Sequence, residues 1–266
     1  MLQQRIITSL IGLPILVLVI WFGNLPFALT LVLMSIIGIM EFYHMANNLK
    51  IQPSRYFGIF TSVLLIVANY FQDANIIKTS VITLATAISL VWLIFRSPRE
   101  QAFTNWSWTM AGILYIGWTL GYWINLRNLD MGKEWAYWII LTIMASDIFA
   151  YLIGSIWGKH RLAPTISPKK SWEGACGGFL ASIIIAIILG ILFSLPLTYL
   201  HMILLAIIIN ISAQLGDLVE SLLKRNTGVK DSGKLLPGHG GLLDRIDSYI
   251  LTGAIAYLYI SYFVHS

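Results

Sequence analysis

Apolar runs long enough to cross a bilayer follow one another through this chain with almost nothing between them. A hydrocarbon core about 30 Å thick takes roughly 20 apolar residues of helix. Nine windows meet that need: 6–22, 26–45, 56–72, 77–95, 107–125, 135–157, 172–194, 199–216 and 246–264. Pro, Gly and polar clusters separate them, as at Gln52-Pro53-Ser54-Arg55 and Arg96-Ser97-Pro98-Arg99. Only 11% of residues are charged, less than half of the roughly 25% typical of a soluble domain. The sequence therefore predicts an all-α polytopic membrane protein with about nine transmembrane helices. It reads as one integral membrane domain over 1–266, with N-terminal spans in 1–134 and, in 135–266, further spans with the polar loops expected to carry the functional site.

The remaining composition narrows the classes. A single cysteine, Cys176, rules out an internal disulfide framework and a cysteine-based metal site. The net charge of +5 reads as an orientation signal and an attraction to anionic lipid, since nothing resembles a nucleic-acid-binding module. The run from Ile6 to Phe22 lacks a small-x-small cleavage site after it, and reads as a retained first span. With the N-terminus in the cytoplasm, the inside segments hold 14 of the 17 Lys and Arg residues, among them Arg5, Lys50, Arg55, Arg96 and Arg99. The outside segments hold only Lys78, Arg127 and Lys133. That asymmetry predicts N-in, C-out, with two long cytoplasmic segments, 158–171 and 217–245.

Polar residues in such a chain are expensive and therefore informative. Asp147, midway along 135–157, carries an insertion cost of about 2.5–3.5 kcal/mol; it is functional, or glues helices through a hydrogen bond. Glu41, near the end of its window, can snorkel to the interface. Asp217 opposes the dipole of the helix end it occupies, which predicts a cation partner. If that helix continues, Asp217, Ser221 and Lys224 fall on one stripe, flanked by Glu220.

The glycine-rich stretch Lys230-Asp231-Ser232-Gly233-Lys234-Leu235-Leu236-Pro237-Gly238-His239-Gly240-Gly241 forbids a regular helix. Backbone N–H groups with interleaved Lys and His suit a polyphosphate, although a flexible connector has a similar composition. It lacks the spacing of a Walker loop. Asp244 and Asp247 follow on one helix face, as metal-binding carboxylates or as helix caps. In the other segment Ser171 can cap the seventh window, with Glu173 in its first turn, while Lys169 and Lys170 suit phosphate or anionic lipid. Gly154 and Gly158, and Gly174 and Gly178, have the small-xxx-small spacing of closely packed helices.

These residues carry a family resemblance. Ser221-Leu222-Leu223-Lys224-Arg225, then Lys230-Asp231-Ser232-Gly233, then Leu236-Pro237-Gly238-His239-Gly240-Gly241-Leu242-Leu243-Asp244-Arg245-Ile246-Asp247 resembles the motif of phosphatidate cytidylyltransferases (CDP-diacylglycerol synthases) without a departure. The segment Ser167 to Gly174 and the Ser146-Asp147 pair are also similar. The resemblance implies transfer of a cytidylyl group from CTP to phosphatidate with Mg2+, in a homodimer of the inner membrane whose active site opens to the cytoplasm. It implies metal ligation by Asp217 and Asp244, with Asp247 and Asp147 as further candidates. Lys224, Arg225, Asp231, His239 and Arg245 complete the catalytic candidates. Lys169, Lys170, Ser221, Lys230, Ser232, Gly233, Lys234, Gly238, Gly240 and Gly241 are the substrate-binding candidates. Two rivals remain: a CTP-dependent kinase of a polyprenol-type alcohol, and a transporter, which would be expected to show repeated halves and broken helices.

Overall fold

The computed structural model describes residues 2–71, 75–95, 99–236, 238 and 240–264. His239, Pro237 and Arg96 lie outside the described residues, as do the side chains of Arg5 and Arg99. Among the described residues the protein is all-α apart from one short hairpin and an isolated bridge between Leu236 and Gly240. Its helices are α1 (Leu2–Phe22), α2 (Asn24–Asn47), α3 (Arg55–Tyr70), α4 (Asn75–Ile94), α5 (Ala102–Gly112), α6 (Thr119–Arg127), α7 (Gly132–Trp157), α8 (Trp172–Leu192), α9 (Tyr199–Asn226) and α10 (Leu243–Phe263). A π-helical stretch, Ile113–Trp118, joins α5 to α6, so window 107–125 lies in one helical run. A helical run overlaps every window the sequence marks. Among the described residues, five are long and apolar enough to cross a membrane: Asn24–Asn47, Ile76–Ile94, Gly132–Trp157, Trp172–Leu192 and Tyr199–Asn226. This is an integral membrane protein.

The chain forms two compact units, Met1–Asn125 with Asn226–Ile246, and Leu126–Arg225 with Asp247–Ser266. In the first, α3 packs against α2, α4 and the π-helical stretch. Tyr43 is fully buried there and donates its hydroxyl to the Thr109 carbonyl at 2.7 Å. Its ring lies so close to Gly58 and Gly112 that a Cβ at either would stand within 2.5 Å of a ring or hydroxyl atom. The turn between α2 and α3 is pinned from α5: Gln52 N–H donates to Asn105 Oδ1 at 2.7 Å and Ser54 N–H to Thr109 Oγ1 at 2.9 Å.

In the second unit the small-residue spacing does what it predicts. α7 and α8 approach until a Cβ on Gly178 would stand 2.7 Å from the Ser146 carbonyl, and one on Gly174 2.6 Å from that of Ala150. Trp138 Nε1 donates across to the Ala186 carbonyl at 2.8 Å. Ser171 caps α8, accepting from Gly174 N–H at 3.2 Å. The segment before it, where the sequence shows only a loop, forms the antiparallel hairpin β1 (Arg161–Ala163) and β2 (Ser167–Ser171). α9 runs ten residues past its apolar window, to Asn226, because polar pairs at i, i+4 support a helix beyond the bilayer.

Candidate active site

The glycine-rich stretch is not a loose connector. Glu41, on α2, is only 8% exposed and reaches into the segment instead of snorkelling outward. Its Oε1 accepts from Leu242 N–H at 3.0 Å and its Oε2 from Leu243 N–H at 2.8 Å. Those N–H groups open α10, where the helix has no partners of its own for them and its dipole favours an anion. Asp244 works from the other side: one oxygen, Oδ2, accepts from Ser232 N–H at 2.9 Å and Gly241 N–H at 2.8 Å. The Ser232 hydroxyl, buried, lies between the two carboxylates, 3.2 Å from Glu41 Oε2 and 3.0 Å from Asp244 Oδ2. Two glycines make room for this. A Cβ on Gly233 would fall 2.4 Å from Glu41 Oε1, and one on Gly241 would fall 2.2 Å from Ser232 Oγ. Leu236 N–H donates to the Gly240 carbonyl at 2.9 Å, closing a tight turn in which Gly238 and Gly240 have positive φ. Lys230, Asp231 and Lys234 remain exposed on this braced segment.

The second unit gathers acids. Asp217 finds its predicted cation in Lys170, whose Nζ lies 2.7 Å from Oδ2; its Oδ1 accepts from Ser221 Oγ at 3.3 Å. One turn on, Lys224 forms an ion pair with the fully buried Glu220. Asp147 and Asp247 both lie close enough to Asp217, and to each other, for their charges to repel. Lys170 offsets that repulsion at Asp147 and Lys224 offsets it at Asp247. Asp147 is accessible, whereas Asp247 is buried. Behind Asp147 a polar ladder crosses the helices: Asn210 Nδ2 donates to Ser146 Oγ at 2.6 Å, and Gln214 Nε2 donates to Asn210 Oδ1 at 2.9 Å. Ser146, not Asp147, thus makes the helix-bridging bond. Arg225 Nε donates to the Ile166 carbonyl at 3.2 Å, tying the end of α9 to the hairpin. Lys169 is exposed on β2, and Arg245 is exposed in the first turn of α10.

Among the described residues, no three His, Cys, Asp or Glu side chains converge as a ready-made metal site. Mg2+ asks for less, one or two protein carboxylates with the remaining positions filled by water and substrate oxygens. Neighbouring acids held partly out of water supply the negative charge such an ion offsets, so the residues present fit it. Glu41 has no motif of its own; its partner Ser232 is 191 residues away in sequence. The signal that could have found it was its cost, an acid inside an otherwise apolar window.

A polytopic helical bundle with its polar chemistry at helix ends, an acidic cluster and a braced glycine segment defines a class of membrane enzymes that handle phosphates at the bilayer surface. The chain belongs to the cytidylyltransferase family, whose profile matches residues 3–263. It is 30% identical to the phosphatidate cytidylyltransferase of Bacillus subtilis, over 98% of both chains. It is 31% identical to that of Synechocystis, over 97% of this chain and 96% of the relative. It is also 35% identical to the chloroplastic phosphatidate cytidylyltransferase 4 of Arabidopsis thaliana, over 97% of this chain and 73% of the relative.

Proposed function

We propose that this protein transfers the cytidylyl group of CTP to phosphatidate, giving CDP-diacylglycerol and pyrophosphate in phospholipid synthesis. The observation that carries the reading is the family match along the whole chain, joined to a glycine segment braced by Glu41 and Asp244 in the stretch that holds the motif. A phosphatidate oxygen attacks the α-phosphorus of CTP, a new P–O bond forms, and the bond to pyrophosphate breaks. The nucleophile is a phosphate monoester with a second pKa of about 6, so it arrives largely deprotonated and needs no strong base. The protein's task is to hold two anions and neutralise charge moving onto the leaving group.

We assign the triphosphate to the braced segment, through the exposed Lys230 and Lys234. Lys169, Lys170 and Arg225 suit the phosphatidate headgroup. Mg2+, when bound, supplies charge neutralisation at the phosphate oxygens, and Asp217, Asp247 and Asp147 are the residues that would hold it. Asp244, which the resemblance also names as a ligand, serves first as the anchor of the segment through Oδ2. We also read nine spans in a single membrane domain, an N-terminus in the cytoplasm, a cytoplasm-facing site in the inner membrane, and a homodimer; the Lys and Arg asymmetry supports the orientation.

The test uses purified protein with phosphatidate, Mg2+ and CTP labelled at the α-phosphate. Label in the lipid extract, lost on chelating the metal, is the expected result. Transfer of γ-label to an added polyprenol-type alcohol, without α-label in lipid, would overturn the reading in favour of a kinase.

A further inference from the structure

A cavity in the first unit, lined by none of the residues assigned above, has a volume of about 1040 Å3. It is formed by the end of α2 and the turn after it, the start of α3, the last turns of α4, and the middle of α5. α2 and α4 are both long enough to cross the membrane, so their shared end lies where hydrocarbon gives way to headgroups. The lining divides accordingly. Lys50 and Arg55 line it from the turn after α2 and the start of α3, and Ile88, Trp92, Phe95 and Trp106 from the end of α4 and from α5. Among the described residues no acidic side chain lines the cavity. Neither Lys50 nor Arg55 forms an ion pair among the described residues.

The apolar wall is bare. Trp92 is 62% exposed and Phe95 77% exposed. The rim, by contrast, is already built: the turn carrying Lys50 and Arg55 is held by the bonds of Gln52 to Asn105 and Ser54 to Thr109. Trp106 is oriented by its Nε1 bond to Ser89 Oγ at 2.8 Å. The N-terminus of α3, where Arg55 sits, adds the positive end of a helix dipole. Two cations and a helix N-terminus above an aromatic slot match one kind of molecule at this depth, a lipid with an anionic phosphate and an acyl chain. The cavity is at the upper end of the roughly 300–1,000 Å3 of small-molecule sites, with room for a headgroup and the first chain methylenes.

We propose that this cavity binds an anionic phospholipid, its phosphate on Lys50 and Arg55 and its upper chain against Trp92, Phe95 and Trp106. This site is separate from the residues to which cytidylyl transfer is assigned, and it rests only on the chain being a membrane protein. It is therefore testable with a lipid that the transfer reaction does not consume.

The experiment titrates the full-length detergent-solubilised protein with phosphatidylglycerol, phosphatidylcholine and glycerol 3-phosphate, reading thermal shift and retained lipid by native mass spectrometry. Phosphatidylglycerol is expected to bind at least tenfold more tightly than phosphatidylcholine. The K50Q/R55Q double variant should weaken it about 30-fold, or about 2 kcal/mol at roughly 1 kcal/mol per basic residue. Ile88→Trp, which fills the slot without changing charge, should also lower retention, and both variants should keep their CTP-dependent activity. Equal binding of the two lipids would overturn the proposal, as would unchanged phosphatidylglycerol affinity in the double variant. Glycerol 3-phosphate binding as tightly as the lipid would show a free-phosphate site instead, and would also overturn it. If the double variant fails to fold, the Ile88→Trp protein and the comparison of the two lipids on wild type decide the matter.

Discussion

Replacing Glu41 with Gln changes one carboxylate oxygen into an amide and leaves the volume of the side chain intact. The wild-type oxygens face three donors: Leu242 N–H at 3.0 Å, Leu243 N–H at 2.8 Å, and the Ser232 hydroxyl at 3.2 Å. Whichever way the amide turns, its NH2 meets at least one N–H head on. A buried donor left without an acceptor costs about 1–3 kcal/mol. Losing the negative charge at the start of α10 adds roughly 0.3–1 kcal/mol. About 2–3 kcal/mol then disfavours the braced segment, which corresponds to roughly a 30- to 150-fold fall in kcat/KM for CTP. The assay is cytidylyl transfer to phosphatidate across a CTP series, with Tm measured on the same preparation. KM for CTP should carry most of the change, and KM for phosphatidate little. Wild-type kcat/KM in E41Q would refute the bracing argument. Equal loss toward both substrates, in step with a lowered Tm, would reduce Glu41 to a general stabiliser.

Further outcomes follow from the same contacts. Gly233→Ala places a Cβ 2.4 Å from Glu41 Oε1 and should abolish transfer. Gly228→Ala, where φ is +72° but nothing lies within 4 Å, should cost only about 1 kcal/mol of stability and retain activity; equal losses in the two would refute the bracing role. Lys170→Ala removes a pair with Asp217 whose ammonium is shielded from solvent, so Tm should fall by the equivalent of about 1 kcal/mol or more. The Mg2+ concentration for half-maximal rate should fall, because the lysine no longer competes for Asp217; a higher requirement would contradict the assignment. Asp247→Asn relieves repulsion from Asp217 and Asp147. Its Tm in chelator should equal or exceed wild type while Mg2+-induced stabilisation is lost, and retained Mg2+ stabilisation would remove Asp247 from the metal assignment.

What the sequence reveals about this fold is what local rules govern. Apolar windows locate the helices because hydropathy is a sum over neighbours. The Ser171 cap and the close approach at Gly174 and Gly178 follow from spacings of three and four. A cation partner for Asp217 was expected from a helix end that α9 in fact passes, running on to Asn226, and its identity, Lys170, was not legible because 46 residues intervene. Glu41 was hidden for the same reason: its partners come from the far end of the chain. The hairpin of Arg161–Ala163 and Ser167–Ser171 was also invisible, since strands of three and five residues show no alternation to read. Local patterns therefore found the motif segment and missed the brace that shapes it.

The acidic cluster supports the proposed metal assignment on grounds of charge, without a formed ligand shell. Within the second unit, Asp147, Asp217, Asp247 and Glu220 face Lys170 and Lys224. Fully ionised, four acids less two lysines leave a formal charge of −2. Glu220 is fully buried and Asp247 nearly so, where uncompensated charge is expensive and a lysine partner repays only part of the desolvation. The proposed Mg2+ would balance that remainder. Binding energy at such a site comes largely from relieving repulsion that folding has already imposed, so it needs few direct ligands and leaves positions open for substrate oxygens. In the proposed reaction such an ion would serve twice, offsetting the charge of these acids and supplying charge neutralisation to a phosphate that reaches it.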